Sequence, residues 1–275
     1  MNSPGGGRNL PRPDFTMRCV LFLTALLFTA AARADDGYRL WLRYDPISEP
    51  APRAAYVAAL KHLVLSTPTG ADSPTTAVAR AELAAGLRGL LGAEVSIVLE
   101  KSAAPIAVDD EGYALTHRGG DTVVISAHRD LGTLYGAFAL LRHLQLHQPL
   151  AHLSVTSAPK IQRRLLNHWD DLNRFVERGY AGASLWEWFQ LPEYRNPRYR
   201  DYARALASLG LNGAVLNNVN ANALILTPRY LERVAALAPR RKYKTHKGEV
   251  TGRRHSRACS TGVLCRATAT QNSQR

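Results

Sequence analysis

Residues 164–171, Arg164-Leu165-Leu166-Asn167-His168-Trp169-Asp170-Asp171, hold the stretch on which the fold turns. The apolar pair Leu165-Leu166 reads as a short apolar strand and runs straight into a polar and aromatic cluster, the composition of a strand end that meets a ligand. A second such stretch follows, Asn212-Gly213-Ala214-Val215-Leu216, running into Asn217-Asn218-Val219-Asn220. Between them Asp201–Leu209 has helical spacing, with Tyr202, Ala205, Leu206 and Leu209 predicted inward and Gly210 as the stop. Thr227-Pro228 opens another helix as N-cap and first-turn proline, with Leu231, Val234 and Ala235 on one face. The order is strand, helix, strand, helix. In parallel β/α proteins the ligand groups sit on loops leaving the carboxyl ends of strands, and both ends here are rich in Asn, Trp or Asp.

Upstream, residues 35–156 read as a separate α/β module. Leu40, Leu42 and Tyr44 alternate within 39–44, which predicts a half-buried strand ended by Asp45-Pro46. Helices are expected over 51–63 and 76–91, the second with Val78, Leu83, Leu87, Leu90 and Leu91 inward and Gly92 in a left-handed cap. Val95, Ile97 and Leu99 alternate as a strand. Tyr113–His117 and Thr122–Ser126 flank Gly119-Gly120, a pair suited to a tight hairpin. Asp130 is expected to cap the helix that follows, whose Leu131, Leu134, Tyr135, Phe138 and Leu141 share one face, and Pro149 to stop it. The sum is a small α/β sandwich, a mixed sheet with covering helices, of about 120 residues, enough to hold a core. His117, His128, His143, His147 and His152 lack metal-ligand spacing and read as structural, and no phosphate-binding glycine fingerprint surrounds Gly132 and Gly136.

The whole chain has 275 residues, 46% of them hydrophobic and 21% charged, a globular composition. Its net charge of +13 is not spread evenly. Residues 240–275 hold ten Lys/Arg against Glu249, and residues 1–34 four Arg against Asp14, so 35–239 carries only +1. A uniformly basic nucleic-acid-binding surface is thereby excluded. Residues 1–16 are rich in Gly and Pro without a periodic apolar face. From Met17 a basic Arg18, an apolar run Cys19–Ala32 and Ala32-Arg33-Ala34 have the layout of a secretory signal peptide, expected at 17–34 and cleaved after Ala34, which implies export to the periplasm or the exterior. An apolar run of about 14 residues is too short to span a bilayer, so no membrane span is expected after cleavage. Cys259 and Cys265 do not have zinc-knuckle spacing, and no metal site is expected.

Several blocks, in order, closely resemble the microbial α-glucuronidases of glycoside hydrolase family 67. They are Gly37–Pro46, the Gly132–Leu144 helix, Leu166-Asn167-His168-Trp169-Asp170, Val176-Glu177-Arg178-Gly179-Tyr180-Ala181-Gly182, and 212–222. The resemblance covers 36–239. It implies an α/β amino-terminal domain over 35–156, followed over 160–239 by the first two β/α units of an incomplete (β/α)8 TIM barrel, a whole barrel taking about 250 residues. The implied activity is inverting hydrolysis of α-1,2-linked 4-O-methyl-D-glucuronic acid from xylo-oligosaccharides, without cofactor. A homodimeric parent enzyme is compatible with it. By resemblance Trp169 and Val219 are candidate walls of the sugar pocket, with Asn167 and Asn218 beside them. The acid and base carboxylates are expected from later barrel strands, so no catalytic residue is assigned within this chain and the chain is expected to be an inactive fragment. Asp170, Asp171 and Glu177 are read as structural or positioning carboxylates.

Two features depart from the family pattern. Asn173-Arg174-Phe175 stands where a Gly/Ser turn is usual, and the linker from Leu99 to Glu111 is shorter than expected. From Arg240 the pattern stops inside a helix–strand junction and becomes Arg- and Ser-rich, which reads as a basic, disordered or frameshifted tail rather than a nucleic-acid-binding arm. The alternative from another class is a non-catalytic carbohydrate-binding or interaction module formed by 35–156, with Tyr38, Trp41 and Tyr113 as its available aromatics.

Overall fold

The structure, a computed structural model, describes residues 35–103, 108, 110–217 and 222–237. The signal region 17–34, the basic tail from Arg240 and the pocket candidates Asn218 and Val219 lie outside the described residues. The described residues fall into two compact units, 35–41 and 42–237. Of the first unit, Asp35 and Asp36 accept hydrogen bonds from the Gly37 and Tyr38 amides, closing a short turn.

Leu40–Arg43 is a 3-10 turn rather than the expected strand, because Leu40 and Tyr44 take φ of 51° and 56° and bend the chain. Leu42 and Tyr44 are buried all the same, while Leu40 is exposed. Helix α1, Pro50–Ala59, stops earlier than predicted. The reason is β1, His62–Thr67, whose Leu63-Val64-Leu65 run is too short to be told from the end of a helix by periodicity. After it come α2 (Pro74–Leu91), β2 (Ser96–Lys101), β3 (Tyr113–His117), β4 (Thr122–Ser126), α3 (Asp130–Gln145) and β5 (Ser154–Ser157), the last not foreseen.

These strands form one mixed sheet in the order β2-β1-β4-β3-β5. β1 is parallel to β2 and β4, and β3 is antiparallel to β4 and β5. A central strand with parallel neighbours is buried on both faces, and five of the six β1 residues are. Leu63, Leu65, Leu115, Val123 and Ile125 pack in one cluster with Leu83, Leu87 and Leu90 of α2 and Leu134, Phe138 and Leu141 of α3. The two helices approach so closely that a Cβ on Gly86 would stand 2.6 Å from a Leu141 methyl. α3 starts as close to the β2–β3 connection: a Cβ on Gly132 would lie 2.2 Å from the Gly112 carbonyl oxygen.

Local signals account for the ends. Ser73 and Thr76 form a reciprocal capping box at α2, and Gly92 closes it at φ 68°. Asp130 does not cap α3. Arg129 occupies that position without a side-chain bond, and Asp130 sits in the first turn, where its charge complements the helix dipole.

β6 (Leu165–Asn167), α4 (Arg198–Ser208), β7 (Gly213–Val215) and α5 (Pro228–Leu237) follow. β6 and β7 are parallel, with Leu165, Leu166 and Asn167 opposite Gly213, Ala214 and Val215. On α4 the expected inward residues Tyr202, Ala205 and Leu206 do pack against the cores, joined by the buried Ala203 and Ala207, whereas Leu209 is exposed because the helix has already ended at Ser208. On α5 the packed face is Tyr230, Val234 and Leu237, with Arg233 buried, so Leu231 and Ala235 face outward. The chain is thus α/β with a parallel-rich sheet. Among the described residues no helix is long and apolar enough to cross a membrane.

Candidate functional site

The paired register of β6 and β7 brings their carboxyl ends together. The His168 amide continues the ladder by donating to the Val215 carbonyl at 2.9 Å. Beyond Asn167 the chain therefore leaves the sheet beside the residues that follow Val215. His168 and Asp170 then turn one way. His168 Nδ1 lies 3.2 Å from Asp170 Oδ1, and Nε2 lies 2.6 Å from the Tyr202 hydroxyl on α4. The Ser184 hydroxyl donates to Asp170 Oδ2 and in turn accepts from the Trp186 amide at 2.9 Å.

The His168 ring is also packed. Trp186 and Tyr202 stand 5.2 and 5.3 Å from it, centroid to centroid. Trp186 and Trp188 are each 1% exposed and form the second core with Leu191, Leu206, Ala214 and Leu216. Burial pushes the Asp170 carboxyl up, but the bonds from His168 and Ser184 outweigh it and hold it below the usual carboxylate range. Asp170 is therefore an ionised, buried anchor.

Alternation in an extended chain turns Asn167 and Trp169 away from that anchored side, and both are exposed, Trp169 by 47%. The Trp169 carbonyl accepts from the Glu177 amide at 2.8 Å, so the backbone of the tryptophan is held although its ring is not buried. Of the four residues singled out for a sugar pocket, Asn167 and Trp169 are placed together at this edge, and Asn218 and Val219 fall outside the described residues. Asp171 and Glu177 both serve the loop through their amides, Asp171 donating to Phe175 O at 2.8 Å.

The unusual Asn173-Arg174-Phe175 segment is accommodated by Arg174 at φ 74°, a conformation that costs a side-chain-bearing residue about 1–2 kcal/mol. Compensation comes from Glu187, 3.2 Å away, and from the Phe189 ring, whose centroid is 5.3 Å from the guanidinium. Sequence reading missed Ser184 and Trp186 altogether. It placed Tyr202 on the inner face of its helix, but nothing in the pattern could pair it with a histidine 34 residues away.

On its opposite side α4 is bound to the first sheet region. Arg204 donates two 2.7 Å bonds to the Glu82 carboxylate, which also accepts from the Tyr44 hydroxyl at 2.6 Å. A parallel clamp joins Arg164 to Glu111 at 2.6 Å and to the Tyr135 hydroxyl at 3.2 Å. Burial, helped by the Glu111 charge, pushes the Tyr135 phenol up to about 12, so it remains a donor. Tyr113, one of the three aromatics available to a carbohydrate-binding module, packs against the first core instead of lining a groove.

The glycosyl hydrolase family 67 N-terminus matches residues 40–108 and the glycosyl hydrolase family 67 middle domain matches residues 143–247. The chain is 35% identical over 252 residues to alpha-glucuronidase A of Emericella nidulans, covering 81% of this chain and 29% of that protein. It is 31% identical over 245 residues to the probable alpha-glucuronidase A of Aspergillus terreus, covering 81% and 28%. The chain thus spans about three tenths of the length of the curated relatives it matches. A solved GH115 4-O-methyl-alpha-glucuronidase, BtGH115A, aligns over 65% of this chain and 28% of its own at 15% identity, with a TM-score of 0.42. With both domain families matched in chain order and α-glucuronidase relatives aligned over four fifths of its length, this chain belongs to glycoside hydrolase family 67.

Proposed function

We propose that this chain builds one wall of the uronic-sugar pocket of an exported α-glucuronidase. That enzyme removes α-1,2-linked 4-O-methyl-D-glucuronic acid from xylo-oligosaccharides, with inversion and without a cofactor. The observation that carries the reading is Trp169, an exposed ring between two pinned residues at the joined carboxyl ends of parallel strands. A flat apolar ring held there stacks on the C–H face of a sugar, and the Asn167 amide beside it offers both a donor and an acceptor to hydroxyls.

In this reading residues 35–156 are the amino-terminal domain, and β6-α4-β7-α5 over 160–239 are the first two units of a (β/α)8 barrel. Inversion needs a carboxylic acid and a carboxylate base about 6.5–9.5 Å apart with room for water. Asp170 is unsuited to either role, since both its oxygens are engaged and it is held ionised in the core. The acid and base belong to other barrel strands, so the 275-residue chain is expected to bind without turnover.

Calorimetry of the chain with xylotriose, plain and bearing 4-O-methylglucuronic acid, tests this. The decorated sugar binds, Trp169→Ala abolishes binding and no uronic acid is released. Equal affinity for both sugars, or none for either, refutes the reading.

A further inference from the structure

Trp169 is exposed, yet everything around its backbone is fixed. The residue before it is bonded at three atoms: its amide to Val215, Nδ1 to Asp170 and Nε2 to Tyr202. The residue after it is 2% exposed and receives the Ser184 hydroxyl. Of these partners Tyr202 alone comes from a regular element outside the β6–β7 pair and the 170–186 loop. It sits on α4, which is itself clamped from its far side through Arg204 and Glu82.

We propose that Tyr202 and His168 are positioning residues for Trp169. The phenol fixes the imidazole, the imidazole fixes the turn of chain that presents the indole, and the sugar-facing angle of the ring is thereby set by helix α4. The inference rests on the sugar-wall reading above for its functional meaning but not for its geometry. A side chain aimed at a ligand keeps its affinity only when its support holds it to within a fraction of an ångström, and supports of this kind act without touching the ligand. His168 also bridges two chain segments 34 residues apart through a directional hydrogen bond, whereas Trp186 touches the His168 and Tyr202 rings only by packing.

The test uses the whole chain labelled with 5-fluorotryptophan. It contains four tryptophans, and the fluorine line of Trp169 is identified by its loss in Trp169→Phe. Tyr202→Phe removes one hydroxyl and is expected to shift and broaden that line and to weaken D-glucuronic acid binding about tenfold, the loss of one good hydrogen bond's worth of orientation. His168→Ala is expected to do the same, and His168→Gln, whose longer amide reaches toward Tyr202, to restore the line in part. Ser73→Ala, a cap deletion in α2 far along the chain, supplies a control that lowers the melting temperature but leaves the line in place.

A Trp169 line and a glucuronic acid affinity unchanged in Tyr202→Phe overturn the proposal, as does a His168→Gln variant no better than His168→Ala. If the unaltered chain binds no D-glucuronic acid while Tyr202→Phe still moves the line, the sugar reading falls and the positioning role stands. If it binds and Tyr202→Phe leaves both readouts alone, the reverse holds.

Discussion

The sheet region of 42–157 and the strand pair of 164–237 solve burial in different ways. In the first, aliphatic side chains of a five-stranded sheet meet two long helices, and Leu63, Leu83, Leu87, Val123, Ile125 and Leu134 are completely buried. In the second, two three-residue strands carry little apolar surface, Leu166 is 43% exposed, and the core is built on Trp186 and Trp188 from a loop. Polar accounting differs too. Among the described residues six buried side-chain polar atoms lack a partner, and four of them fall between Arg174 and Gln190. A two-stranded pair is marginal by itself in water. Its support comes from α4, whose Ala203 and Ala207 belong to the first core, and from Arg142, which donates to the Ser208 carbonyl. The contrast teaches that a short parallel pair can leave polar and aromatic residues exposed at its end while another region's core bears the cost of holding it.

The sharpest way to break the contrast is Trp186→Ala. Removing a fully buried indole is expected to destabilise by about 3–5 kcal/mol. Hydrogen exchange should then lose protection in β6 and β7 first; equal loss in β1 and β4 would mean that the regions open as one.

Next in size is Glu82→Ala, which strands the Arg204 guanidinium and the Tyr44 hydroxyl at the junction. A loss of about 2–4 kcal/mol is expected in urea unfolding, less than a fully buried pair would show because Arg204 is partly exposed. A double-mutant cycle with Arg204→Met should give a coupling of about 1–3 kcal/mol, and independent effects would show the clamp to be idle.

Asp170 sharpens the comparison through pH. Its folded carboxyl is held below the unfolded range of about 3.9, so its contribution is present above that pH and disappears as pH falls through the depressed folded value. Asp170→Asn should cost about 1–3 kcal/mol at neutral pH and flatten the decline of the urea midpoint below about pH 4. An unchanged slope would place the acid sensitivity elsewhere.

Ser73→Ala, confined to the first region, is expected to cost about 1 kcal/mol and to leave the second untouched. Smallest of all, Arg174→Gly relieves a left-handed side-chain-bearing residue while losing its pairing with Glu187. The two effects should cancel to within about 1 kcal/mol in thermal unfolding.

How much of this was legible depends on the range of the signal. β3, β4 and the Gly119-Gly120 turn between them are where alternation and positive-φ glycines put them, because a hairpin is a local object. The left-handed Gly92 and the Asp201–Ser208 portion of α4 were likewise readable from neighbours in sequence. β1 is not legible, and its first two residues fall inside the expected helix 51–63, since a short apolar run buried on both faces has no period to betray it. β5 was missed because its four residues, largely exposed, pair only as an edge. At the site, Trp169 and Asn167 stood out as polar and aromatic residues at a strand end, whereas Ser184 carried no signal.

The sequence by itself determined the family, through several ordered blocks that resemble it, and the α/β character, the polar and aromatic strand end at 167–170 and the concentration of basic charge at the termini, because these are written in residue types and short spacings. Only the tertiary structure decided that Asp170 is an anchor, that Tyr202 meets His168, and that Glu82 and Tyr44 grip Arg204. Those are contacts between residues far apart in the chain, and their energies come from burial and hydrogen-bond geometry that exist only once helix α4 has docked between the two regions.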